Sequence, residues 1–159
     1  MEQSKPSSFS IHIPPPLLFL LGYIAGEGLE RVVPLPLSRF ISIRTGEMLG
    51  VFFLALGFIV ALVSIATFLT AKTTPIPYRR AVNLVTWGPY RLSRNPMYVG
   101  VTLIYLGVAA LRSVLWPVLL LPVPLAVLNF FVIPQEESML RAAFGAAYER
   151  YCVRVRRWL

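Results

Sequence analysis

Residues 48–71 read MLGVFFLALGFIVALVSIATFLTA, 24 residues without one charge. A bilayer core about 30 Å thick needs roughly 20 apolar residues at helical rise, so this stretch predicts a membrane helix. Two further apolar runs lie downstream. Met97–Leu111 spans only 15 residues, and Ser113–Gln135 spans 23, uncharged but interrupted by Pro117, Pro122, Pro124 and Pro134. These read as two spans or as a helical hairpin packed inside a bundle. In lipid every freed backbone group needs a partner within the protein, so the prolines require close neighbours.

Upstream, Pro14–Leu37 predicts a first membrane helix whose second half carries Glu27, Glu30 and Arg31. Glu27 and Arg31 stand four apart and can pair on one helical face. A secretory signal is not expected here: Glu2 offsets Lys5, and no A-x-A site follows. The spacings Gly22–Gly26 and Gly46–Gly50 match G-x-x-x-G, read here as helix packing in preference to a dedicated dimer interface. From Pro134 the pattern changes. Leu140, Phe144, Tyr148 and Cys152 recur every four residues among charges, predicting an amphipathic helix along the membrane surface. Glu136 and Glu137 fall in its first turn, where the helix dipole favours carboxylates.

Composition agrees. Hydrophobic residues make up 57% of the 159 and charged residues 14%, against about 45–50% and 25% in soluble domains. The expected fold is an all-α integral membrane bundle of about four apolar helices with a C-terminal amphipathic interfacial helix. It forms one domain, with N-terminal helices over 1–71 and a catalytic region over 72–159. Eleven basic residues fall on the side of the 72–94 connection and both termini, and four on the other. The positive-inside rule then predicts cytoplasmic termini. The net charge of +8 is thus assigned to lipid headgroups, and no nucleic-acid partner or obligate protein partner is expected.

The chain has no Asp, one His (His12) and one Cys (Cys152). A metal site, which wants three or four such ligands, is not expected, and neither an internal disulfide nor a Ser-His-Asp triad can form. Chemistry must come from two polar blocks: GPYRLSRNPMYVG (88–100), entering the third run, and Glu136-Glu137, leaving the fourth. A hairpin would bring them together, and polar groups at the edge of a membrane core are a functional-site hypothesis. Plainer readings stand beside this one. Arg91 and Arg94 serve equally as positive-inside anchors, Tyr90 and Tyr98 as belt aromatics, and Glu136 as a helix-end charge; Trp116 and Trp158 read as interface anchors.

LVTWGPYRLSRNPMYVG, followed by a hydrophobic hairpin and EESMLRAAFGAAYERYCVRVRRWL, resembles the isoprenylcysteine carboxyl methyltransferase family and its bacterial relatives. It is similar, more loosely, to phospholipid N-methyltransferases. The resemblance covers about residues 68–159 and implies an S-adenosylmethionine-dependent methyltransferase acting on a lipophilic small-molecule or lipid acceptor. The setting it implies is the cytoplasmic face of a bacterial membrane. It further implies that Val82, Asn83, Leu84, Val85, Tyr90, Asn95, Pro96, Met97, Tyr98 and Glu136 bind the cofactor, with Arg94 as a catalytic residue. The absence of G-x-G-x-x-G fits, since the family binds its cofactor without a Rossmann domain. Asn95 stands where eukaryotic members carry His. Val132 stands where they carry an arginine for the prenylcysteine carboxylate. The resemblance therefore implies a retained donor site and an altered acceptor site. Two other readings compete: a membrane reductase using a nicotinamide cofactor, whose relatives share a similar C-terminal layout, and a non-catalytic membrane scaffold.

Overall fold

The computed structural model describes residues 14–72 and 83–159. Four helices run alternately up and down. They are α1 (Pro15–Val32), α2 (Ile43–Thr70), α3 (Pro96–Leu111) and α4 (Trp116–Phe144), followed by the short α5 (Ala146–Arg154). The described residues contain no strand, and their one β-bridge, Pro36 to Val114, ties two connections together.

The uncharged stretch becomes α2, which starts five residues earlier than its apolar run because Ser42 caps it, its hydroxyl accepting from the Thr45 amide at 3.1 Å. α2 and α4 are long and apolar enough to cross a membrane. Only 17% of the most apolar window of α2 is buried, and Phe52, Phe58, Ile59, Leu62 and Leu69 point outward. A contiguous apolar face of that size suits lipid and not water.

α3 lies along α2 at a separation that only glycine allows. A Cβ on Gly57 of α2 would stand 2.7 Å from the Gly100 carbonyl oxygen of α3, and one on Gly107 2.6 Å from the Leu54 amide nitrogen. In α1, Gly26 similarly lets the backbone of Pro117 approach. Both glycine pairs noted in the sequence thus face helices of this same chain: Gly22 meets Pro124, and Gly50 meets Leu111.

Three expectations change. α1 ends at Val32, not Leu37, because Pro34 and Pro36 hold the following backbone extended. Glu27 does not take Arg31 as its partner; its carboxylate lies 3.4 Å from Arg112 and accepts from Tyr23 at 3.0 Å. The tertiary partner at the α3–α4 turn has displaced the local one. The fourth run and the amphipathic tail, read separately, are one helix through Phe144, and the break comes at Gly145, whose φ of +50° ends α4. Beyond it α5 is amphipathic as expected, with Val153 exposed on one side. It folds back, burying Tyr148 and Tyr151 against Leu84 and neighbouring residues.

The prolines of α4 are absorbed without splitting it. Leu128–Val132 forms a π-turn immediately before Pro134. In a five-residue register the Asn129 carbonyl would accept from the amide of residue 134, which proline lacks. The Arg157 guanidinium supplies the missing donor, its Nη1 standing 3.3 Å from that oxygen.

Candidate functional site

The two polar blocks meet at the end of the bundle where α3 begins and α4 passes out of its apolar run. Tyr98, on the first turn of α3, donates its hydroxyl to Glu136 Oε1 at 2.7 Å. That bond joins residues 38 positions apart. The other Glu136 oxygen takes no hydrogen bond among the described residues.

Glu137, one residue on, faces a different way and is almost fully enclosed. Its carboxylate receives a bidentate pair from Arg157, Nε to Oε1 at 3.0 Å and Nη2 to Oε2 at 2.9 Å. Arg94 Nη1 lies 3.2 Å from Oε1, and Arg141 approaches Oε2 at 3.7 Å. Burial is the largest single influence on Arg94 and disfavours its charge, but Glu137, Cys152 and Tyr148 together outweigh it and hold the guanidinium above its ordinary pKa. Arg94 Nη1 also donates to Cys152 Sγ at 2.7 Å, while its Nε is buried with no partner among the described residues.

The C-terminal segment closes this frame. The Arg157 carbonyl accepts from Asn95 Nδ2 at 2.9 Å and from Ser93 Oγ at 3.2 Å, and the Arg156 carbonyl accepts from the Arg94 amide at 2.9 Å. Trp158 Nε1 donates to Asn129 Oδ1 at 3.1 Å and its ring packs on the core, so it is a tie between segments. Trp116 likewise spends its indole N–H on the Val33 carbonyl, 2.7 Å away.

The other expected site residues divide. Pro96 is buried at the start of α3, and Met97 sits beside Tyr98 on the same turn. Tyr90 is buried, edge-on to Phe68 at 5.0 Å between ring centroids, and its carbonyl accepts from Tyr151 Oη at 2.7 Å. Burial, with Tyr151 and Glu136 nearby, pushes the Tyr90 hydroxyl far above its ordinary pKa, so it stays a neutral donor. Burial raises Tyr148 and Tyr151 as well. Val85 is buried, and Leu84 packs against the tyrosines of α5 rather than against Glu136. Asn83 is turned to the end of α2, its amide donating to the Ala71 carbonyl at 2.7 Å. Val82 lies outside the described residues. Glu137, Arg157 and Asn129 were not singled out as site residues from sequence. Arg157 is one of five arginines in the tail and carries no local mark that separates it from Arg154 or Arg156.

What these elements define is an all-helical bundle with lipid-facing helices and a carboxylate–tyrosine–arginine frame at one end. The family model for phospholipid methyltransferase matches residues 45–147. The match takes in well over half of the chain, from the start of α2 into α5. The chain belongs to that family, which is also the family of isoprenylcysteine carboxyl methyltransferase-like proteins. No curated protein and no solved structure matches it. Family and apolar helices together make this a membrane methyltransferase.

Proposed function

We propose that the chain transfers a methyl group from S-adenosylmethionine to a lipophilic acceptor at the cytoplasmic face of a membrane that it crosses four times. The observation that carries this reading is the Tyr98–Glu136 hydrogen bond, which links both motif blocks at one end of the bundle. The donor set suits the cofactor. A carboxylate with one oxygen still open can accept from ribose hydroxyls or an ammonium group, and the faces of Tyr90 and Tyr98 suit a sulfonium. When bound, the cofactor supplies an electrophilic methyl group. The protein's part is to orient the acceptor in line with that methyl and to exclude water, which needs no metal and no general acid.

Arg94 fits a positioning role better than a catalytic one, because its guanidinium is committed to Glu137 and Cys152. The alternating helices and the eleven-to-four division of basic residues support four crossings with both termini inside. Reporter fusions at Leu159 and beside Arg44 should localise to opposite sides.

The reaction is tested by incubating purified protein with labelled methyl donor and a total membrane lipid extract. Label should enter a lipid-soluble product. N-acetyl-farnesylcysteine in a parallel arm should be a poor acceptor, because Val132 is 1% exposed within an apolar cluster and offers its carboxylate no charge. Such a bond contributes about 10- to 150-fold in binding. Absence of label from every lipid fraction would overturn the reading.

A further inference from the structure

A concavity lies between the segment around residues 84–91 and α5. It has a volume of about 570 Å³, and Arg91, Arg150 and Arg154 line it together with Thr86, Tyr151 and Leu84, the last being the one lining residue that the family resemblance assigns to the cofactor. Tyr98, Glu136 and Glu137 do not line it. Three guanidinium groups therefore share one cleft. Arg150 and Arg154 are four apart on α5 and so project from the same face, where two like charges repel.

The arrangement is not neutralised from within. None of the three arginines has a carboxylate partner among the described residues. The nearest acid in sequence, Glu149, is held by Arg141 at 2.8 Å. The Tyr151 hydroxyl is spent on the Tyr90 carbonyl, which leaves the guanidinium groups and the Thr86 hydroxyl as the cleft's polar equipment. Guanidinium forks match phosphate oxygens in geometry as well as charge. A cleft of this size admits a headgroup and not merely an ion.

The surroundings indicate where the phosphate comes from. Trp87, Leu92 and Val153, adjacent in sequence to the residues of the cleft, are exposed at 48%, 73% and 89%. Exposed apolar side chains beside unpaired arginines, at one end of a lipid-facing bundle, fit the boundary between headgroups and acyl chains. We propose that this cleft binds the phosphate headgroup of an anionic phospholipid, as a surface ligand separate from the Tyr98–Glu136 site. The inference does not depend on the methyl donor or on the identity of the acceptor.

Native mass spectrometry of the full chain in a neutral detergent provides the test, with phosphatidylglycerol, phosphatidylcholine and inorganic phosphate offered separately. Wild type should retain phosphatidylglycerol in preference to phosphatidylcholine. The double variant Arg150→Gln/Arg154→Gln should lose roughly tenfold or more of that retention, as expected when charge-assisted hydrogen bonds to phosphate are removed. A control pair with the same charge change, Arg39→Gln/Arg44→Gln, is exposed, lies outside the cleft and should retain the lipid as wild type does. Equal loss in both pairs would reduce the effect to general attraction and overturn the proposal. Displacement of the lipid by millimolar inorganic phosphate would assign the cleft to free phosphate and overturn the lipid assignment. The apparent Tm of the cleft variant should match wild type, since neither arginine is ion-paired in the fold. Undiminished binding in a folded cleft variant would refute the site outright.

Discussion

Glu137→Gln removes one charge from the centre of the frame and keeps the shape of the side chain. The wild-type carboxylate is 6% exposed and faces Arg157 at 2.9 Å and Arg94 at 3.2 Å, with Arg94 itself 14% exposed. Glutamine can satisfy one donor with its carbonyl but turns an N–H₂ group toward a guanidinium. Arg157 is 30% exposed and keeps its bonds to Asn129, so its share of the loss is softened by water. Arg94 is less solvated and keeps only its contact with Cys152 Sγ. Breaking a buried pair from one side costs about 3–5 kcal/mol; with Arg157 partly solvated, the lower end of that range applies. At ~2–4 °C per kcal/mol for a chain of this size, the apparent Tm should fall by roughly 6–12 °C. The assay is thermal unfolding of detergent-purified protein followed by tryptophan fluorescence. Arg94→Gln combined with Glu137→Gln should destabilise less than the sum of the two single changes, since the second substitution removes the charge stranded by the first. A fall of less than about 2 °C for Glu137→Gln would refute the view that this ion cluster holds the C-terminal segment, because the mechanism requires at least ~1 kcal/mol.

Three further substitutions have defined outcomes. Glu136→Gln preserves the bond from Tyr98 and should leave the apo Tm nearly unchanged. Its affinity for S-adenosylhomocysteine, measured by calorimetric titration, should fall by about 10- to 150-fold, the weight of a hydrogen bond to a charged group; unchanged affinity would make Glu136 structural. Gly57→Ala places a Cβ 2.7 Å from the Gly100 carbonyl and should cost about 1–3 kcal/mol of stability through overpacking. Gly28→Ala, with nothing within 4 Å of the new Cβ, should instead raise the apparent Tm slightly.

Much of the bundle was legible because long apolar runs admit few arrangements in lipid. The run Met97–Leu111 corresponds within one residue to α3, and the hairpin reading brings the 88–100 block beside Glu136-Glu137, where the structure adds the Tyr98–Glu136 bond. What escaped was set by tertiary competition. The i,i+4 rule pairs Glu27 with Arg31, but Arg112 arrives from another turn and wins. Proline rules predict a broken fourth run, yet a π-turn and the Arg157 side chain absorb Pro134 from outside the helix. Four-residue spacing extends the tail helix through Cys152, whereas Gly145 adopts a positive φ that releases α5 to fold back. Local patterns see only the helix in which a residue lies, and each of these outcomes was decided by a partner on another segment.

Glu136 and Glu137 show how far adjacent residues can diverge on such a scaffold. Consecutive positions on a helix point about 100° apart, so a pair at the end of α4 cannot serve one purpose. Glu137 is turned into the frame and spends its carboxylate on Arg94 and Arg157. Those contacts, together with the Arg157 and Arg156 carbonyls bonded to Asn95, Ser93 and Arg94, fix the start of α3 against the end of α4. Glu136 is thereby held against Tyr98 with one oxygen still available, at no cost in order when a ligand arrives. Preorganisation of this kind can supply much of the rate acceleration of a methyl transfer. Arg157, which no local pattern marks, thus bears on the proposed chemistry through Glu137, by fixing the frame against which Glu136 is held.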